Sequence, residues 1–157
     1  MNLVMLKLKL ATLDWLYVLM IGLTIVGIAI SAYLMWGYTV PGAELSCGGS
    51  SDCETVKDSP YSHLLGIPLP VFGLGAYFAL LALLIAQKQA WVIGRNWQPY
   101  IALAIFAISL AGVLYSVYLT YIELFVIYAI CRWCVGSAVV MVTIFPLGIF
   151  NLQRNNQ

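Results

Sequence analysis

The stretch LPVFGLGAYFALLALLIAQ, from Leu69 to Gln87, carries no charged side chain and is followed at once by Lys88. At 1.5 Å of rise per residue it makes about 30 Å of helix, the thickness of a bilayer's hydrocarbon core. A run of this kind in lipid must satisfy its own backbone N–H and C=O groups, which only helices and closed barrels do. Its apolar residues run together without the in-out alternation of a barrel strand, so it reads as a transmembrane helix.

Three more segments meet or nearly meet the same length requirement: Trp15 to Trp36, Tyr100 to Tyr121 and Ala129 to Phe150. Of 157 residues, 63% are hydrophobic and 8% charged, against about 25% charged in a soluble domain. The expected fold is an all-α membrane protein, a four-transmembrane-helix bundle, with one domain over residues 1–157. Its long loop, residues 37–68, separates the first two helices. The first span exceeds a signal-peptide core and no small-residue cleavage site follows it, so it reads as retained. A formal net charge of +1, with no basic patch interleaved with aromatics, argues against nucleic acid.

Lysine and arginine set the orientation. Lys7 and Lys9 precede span one, Lys88 and Arg95 lie between spans two and three, and Arg154 follows span four. That side is expected to be cytoplasmic and to hold both termini. The opposite, extracytoplasmic side receives the 37–68 loop, with Glu44, Asp52, Glu54 and Asp58 against Lys57, and the short connection around Glu123. Gly, Ser, Pro and acidic residues gather only in that loop, and long loops tend to carry function.

Both cysteine pairs fall on the outer side: Cys47-x5-Cys53 in the loop and Cys131-x2-Cys134 at the head of span four. An oxidising compartment makes them available for disulfide chemistry. Residues three apart share a helix face, so Cys131 and Cys134 can bridge each other. The helix N-terminus and Arg132 both favour a thiolate at Cys131.

Each feature also has a plain structural use. Cys47 and Cys53 form a loop staple contributing about 2 to 3 kcal/mol in the chain-entropy picture. Cys131 and Cys134 serve as small buried residues between helices. All four thiolates make a zinc site, although the C-x5-C spacing is wider than the usual knuckle. Arg132 acts as an interfacial anchor, and His63, with no acid placed beside it, as a solvated loop residue.

Taken together, a loop dithiol and a C-x-x-C at the membrane boundary have the parts of a relay: one pair exchanges with a water-soluble partner, the other with something dissolved in lipid. The electrons need a sink. The chain shows no haem ligand pair, Rossmann glycine fingerprint or iron–sulfur spacing, and a quinone in the bilayer is the natural candidate, with the apolar helices as its pocket.

The chain resembles the vitamin K epoxide reductase family in its bacterial disulfide-bond-forming branch. The resemblance rests on C-x5-C in the first loop, Ser59-Pro-Tyr-Ser-His-Leu-Leu-Gly-Ile-Pro before span two, Phe72-Gly73 within it, Ser116-Val-Tyr-Leu119 in span three, and C-x-x-C opening span four. The order of the pairs is the reverse of that in the quinone-linked DsbB family. The resemblance implies that Cys134 lies nearest the quinone, that Cys131 exchanges with Cys53, and that Cys47 is attacked by the external thiol. It places Ser59 near the quinone headgroup, where a hydroxyl can donate to a carbonyl oxygen. Ser59-Pro60 also suits the start of a short helix. Phe72 and Leu119 match apolar family positions lining the quinone pocket.

Two departures narrow the expectation. Animal members carry an asparagine near the start of span two and a tyrosine four residues after the last cysteine, where this chain has Leu69 and Ala138; vitamin K epoxide is therefore a doubtful substrate. Many bacterial members continue into a thioredoxin-like domain. The expected electron donor here is a separate thioredoxin-fold (DsbA-like) protein, and the acceptor ubiquinone or menaquinone in a bacterial inner membrane. The rival from another class is a non-catalytic membrane scaffold with a structural loop disulfide.

Overall fold

The computed structural model describes residues 3–43, 45, 47, 52–64 and 66–155; Glu44, one of the acidic residues assigned to the outer face, lies outside them. Six α-helices are present among these residues: α1 (Leu3–Thr39), α2 (Asp52–Lys57), α3 (Leu69–Gln87), α4 (Ala90–Gly94), α5 (Gln98–Ile122) and α6 (Arg132–Asn155). Four carry segments long and apolar enough to cross a membrane, Trp15–Thr39, Leu69–Gln87, Gln98–Ile127 and Arg132–Asn155. The protein is a four-helix membrane bundle with a long loop after its first span.

Helix limits follow local chemistry. α1 continues past Trp36 to Thr39, whose hydroxyl donates to Met35 O at 2.9 Å. It stops before Pro41, which has no N–H to continue the ladder, and Gly42, which turns the chain at φ 79°. α3 and α5 each carry a proline in the first turn, where a missing N–H costs nothing. The largest departure from the expected limits is at the first helix, which begins at Leu3 rather than Trp15; α6 begins at Arg132 rather than Ala129 and runs past Phe150 to Asn155.

Around the bundle the order is α1, α3, α5, α6, with α6 closing back on α1. Hydrophobicity cannot choose which helix face turns inward, because lipid is as apolar as leucine; close packing and a few polar contacts decide it. Tyr77 of α3 is fully buried, and its hydroxyl bonds to Ser137 of α6 at both the carbonyl, 2.9 Å, and Oγ, 3.0 Å. Gly27 makes room for the ring: a Cβ there would overlap it. Leu80, Leu84, Ile105 and Ile144 continue the core, while Phe78, Leu103, Val117 and Val139 face outward.

The two ends of the bundle differ. At one, Gln87 and Asn151 exchange side-chain hydrogen bonds at 3.2 and 3.1 Å, tying the end of α3 to the end of α6. Lys88 lies over the Tyr17 ring, 4.7 Å from its centroid. At the other end α2 sits on the bundle, with Lys57 Nζ donating to Gly37 O at 3.4 Å. Ser59 then starts a short 3-10 turn, Pro60–Ser62, with proline at its first position as the sequence suggests. A two-residue antiparallel ladder follows, His63 opposite Pro68 and Leu64 opposite Ile67. Gly66, at φ 81°, supplies a left-handed conformation beside it.

Candidate functional site

The four cysteines meet at this second end. Cys47 and Cys53 are joined as a disulfide, with Cα atoms 6.1 Å apart, while Cys131 and Cys134 are free thiols. Cys47, Cys53 and Cys131 belong to one buried cluster with Leu34, Leu45, Val56 and Ala129, and Cys134 packs against it. The four-thiolate zinc arrangement needs all four sulfurs free, and two are joined. Both loop cysteines are buried, so an external thiol reaches Cys47 only when the cover over it moves.

Cys131 stands just outside α6, at its N-cap. Its carbonyl accepts the first helical hydrogen bond, from Val135 N at 3.0 Å, and its sulfur accepts the Cys134 N–H at 3.4 Å. A side-chain acceptor at this place satisfies one of the helix's unpaired amides, as serine or aspartate would. The Cys134 thiol hydrogen-bonded to its sulfur, with the Cys134 and Trp133 amides, holds the Cys131 thiol below its ordinary value, against burial and the Glu123 charge. Cys131 is 1% exposed, whereas Arg132 is exposed. The Cys134 thiol and the first-turn amides, rather than the guanidinium, are therefore what lower the Cys131 thiol.

Glu123 is a site residue that the sequence does not single out. α5 ends in a widened π turn, Glu123–Ile127, closed by Tyr128 in the left-handed conformation at φ 55°. Both features recur at functional sites. The turn carries the chain back so that Glu123 O accepts from Ala129 N at 3.1 Å and Glu123 Oε2 accepts from Cys131 N at 3.2 Å. The carboxyl is thus fixed beside the start of α6, and the Cys134 side chain interacts with it as well. Glu123 is 5% exposed. The available signal was a lone carboxylate at the lip of an apolar span, eight residues before the C-x-x-C.

A cavity of about 430 Å³ opens beside these groups. Ser59, Phe72, Leu119 and Cys134 all line it, as do Glu123 and Tyr77; Cys47, Cys53 and Cys131 do not. Phe72, on its α3 wall, is 40% exposed. Leu69 and Ala138 also line it, keeping those two places apolar. The Ser59 hydroxyl donates to Val56 O at 2.7 Å, so it must leave that carbonyl before donating to anything in the cavity. His63 is exposed, with Nδ1 2.7 Å from Ser62 Oγ.

Cys134 is the one cysteine shared between the sulfur cluster and the cavity wall. That arrangement lets a disulfide reaction on one side be coupled to a bound apolar molecule on the other. A family model described as the vitamin K epoxide reductase family matches residues 18–149, from the first span into the last and across both cysteine pairs. The chain belongs to the vitamin K epoxide reductase family, a family of oxidoreductases.

Proposed function

We propose that this protein is a quinone-dependent disulfide oxidoreductase of a bacterial inner membrane, belonging to the family's disulfide-forming branch. It takes electrons from a separate thioredoxin-fold protein and gives them to ubiquinone or menaquinone. The observation that carries the reading is the double position of Cys134, packed against the loop disulfide cluster and lining the cavity. Both termini face the cytoplasm and the cysteines face outward, because Lys88, Arg95 and Arg154 lie at or beyond the opposite ends of the spans.

The cavity suits a quinone headgroup. Its volume falls within the usual range for small-molecule sites, about 300 to 1,000 Å³, and its wall is largely apolar with a few polar groups, Ser59 and Glu123 among them. When bound, a quinone supplies the electron sink, taking up two electrons and two protons to become the quinol. The apolar side chains at Leu69 and Ala138 offer no hydrogen-bond donor at those places, which favours a respiratory quinone over vitamin K epoxide as the substrate.

The relay proceeds by thiol–disulfide exchange. A partner thiolate attacks Cys47, and the freed Cys53 thiolate attacks Cys131, breaking the Cys131–Cys134 bond and releasing Cys134. The partner's second thiol displaces Cys47, and Cys47 attacks Cys53, restoring the loop disulfide and releasing Cys131. The protein then holds a closed loop pair and an open helix pair, the combination present in the structure. Cys131 and Cys134 close again as their electron pair passes into the cavity. Direction depends on the partner and quinone potentials, with 30 mV corresponding to about 1.4 kcal/mol for two electrons.

Replacing Cys134 with alanine tests this reading. The variant should accumulate a Cys53–Cys131 mixed disulfide on exposure to a dithiol and lose quinone reduction. Undiminished quinone reduction, or a Cys47–Cys53 bond that never exchanges, would instead make the protein a scaffold with a structural staple.

A further inference from the structure

Closing the Cys131–Cys134 bond releases two protons, and quinol formation consumes two. Both events take place where bulk water has little access, since Cys131 is buried and the cavity wall is mainly apolar. A group that carries protons between sulfur and cavity must lie beside the sulfurs, line the cavity and be able to gain and lose a proton. Glu123 meets all three conditions. It accepts the Cys131 N–H through Oε2 at 3.2 Å, interacts with the Cys134 side chain, and lines the cavity. The titratable groups around it are Cys131, Cys134 and, from α1, Tyr38.

We propose that Glu123 is the catalytic proton carrier between the Cys131–Cys134 pair and the cavity occupant. This rests on the quinone reading above. In the forward direction the Glu123 carboxylate takes the proton of the Cys134 thiol, breaking that S–H bond and leaving a thiolate. The protonated carboxyl passes the proton to an oxygen of the acceptor. The regenerated carboxylate then takes the proton of Cys131 and delivers it in the same way. One S–S bond forms, two S–H bonds break and two O–H bonds form, with one electron pair moved; the net change is dithiol plus quinone to disulfide plus quinol.

A purely structural role is the competing account. Glu123 holds the Cys131 N–H and anchors the turn after α5, which an amide can do equally well. Glu123→Gln keeps an acceptor oxygen and the shape but cannot carry a proton. The proposal expects quinone reduction by the reduced variant to slow by about 10²- to 10⁴-fold, the usual reach of general acid–base catalysis. The yield of the Cys53–Cys131 mixed disulfide in a Cys134→Ala background should stay unchanged. A rate within about threefold of the parent protein, with the same pH profile, overturns the proposal.

Infrared difference spectroscopy gives a second, independent readout. Cycling the helix pair with a dithiol and a small-molecule disulfide, without quinone, should change a carboxyl band. That band should vanish in Glu123→Gln and shift in Glu123→Asp. A spectrum lacking a carboxyl change, or a band unmoved in both variants, overturns the proposal. Absence of quinone reduction in the parent protein refutes the acceptor assignment instead, and the infrared arm still decides Glu123.

Discussion

The Cys131 sulfur accepts the Cys134 backbone N–H at 3.4 Å, so one cysteine of the C-x-x-C pair caps the helix whose first turn holds the other. Reactivity and helix geometry are thereby linked. Any change that shifts the start of α6 moves both sulfurs.

This contact carries a pH prediction. The Cys134 hydrogen bonds lower the Cys131 thiol, so its thiolate is formed at a pH below the ordinary thiol value of about 8.5 and is lost only as pH falls through the lowered value. Ultraviolet titration of the reduced protein, compared with Cys131→Ser, should reveal that early thiolate. A Cys131-dependent transition at or above the ordinary value contradicts it.

Phe72 and Leu119 stand on different helices, α3 and α5, and both line the cavity. Truncating either to alanine removes apolar contact worth roughly 1 to 2 kcal/mol for a partly buried side chain. Each variant should raise the KM for quinone about tenfold, while Cys53–Cys131 trapping is unaffected. An unchanged KM in both variants would place the acceptor elsewhere.

Gly27 lets α1 approach the Tyr77 ring closely, and Tyr77 in turn holds Ser137, one turn beyond Cys134. Gly27→Ala should destabilise the bundle by about 1 to 3 kcal/mol, the usual cost of overpacking. Thermal unfolding in detergent measures it. An unaltered midpoint would mean that the two helices separate without penalty.

Far from the sulfurs, Gln87→Leu leaves the Asn151 amide without its reciprocal partner. The expected loss is about 1 kcal/mol or slightly more, with quinone reduction unchanged. Replacing Asn151 with leucine as well should recover most of it. Reduced activity without reduced stability would contradict the separation of the two ends.

Much of this architecture is legible in composition, because the lack of charge from Leu69 to Gln87 leaves hydrocarbon as its natural surroundings. The cavity wall is less so. Phe72 and Leu119 resemble any lipid-facing residue until a family pattern marks them, since apolarity inside a membrane does not distinguish inward from outward. Cys131 reads as helical from its spacing to Cys134, yet it lies one residue outside α6 and uses its sulfur as a cap. Glu123 is hidden further, because its contact with Cys131 N depends on a π turn and a left-handed Tyr128. The His63–Leu64 ladder is too short for any periodic signal.

In the proposed relay, electrons leave the sulfur cluster through Cys134 into the cavity. The decisive experiment mixes the protein, loop pair closed and helix pair reduced, with a quinone in an anaerobic stopped-flow instrument and quenches with an alkylating reagent. Quinol should appear at the rate at which Cys131 and Cys134 become resistant to alkylation, one quinol for each bond closed. Quinol formed while both thiols remain alkylatable, or bond closure without quinol, would contradict it.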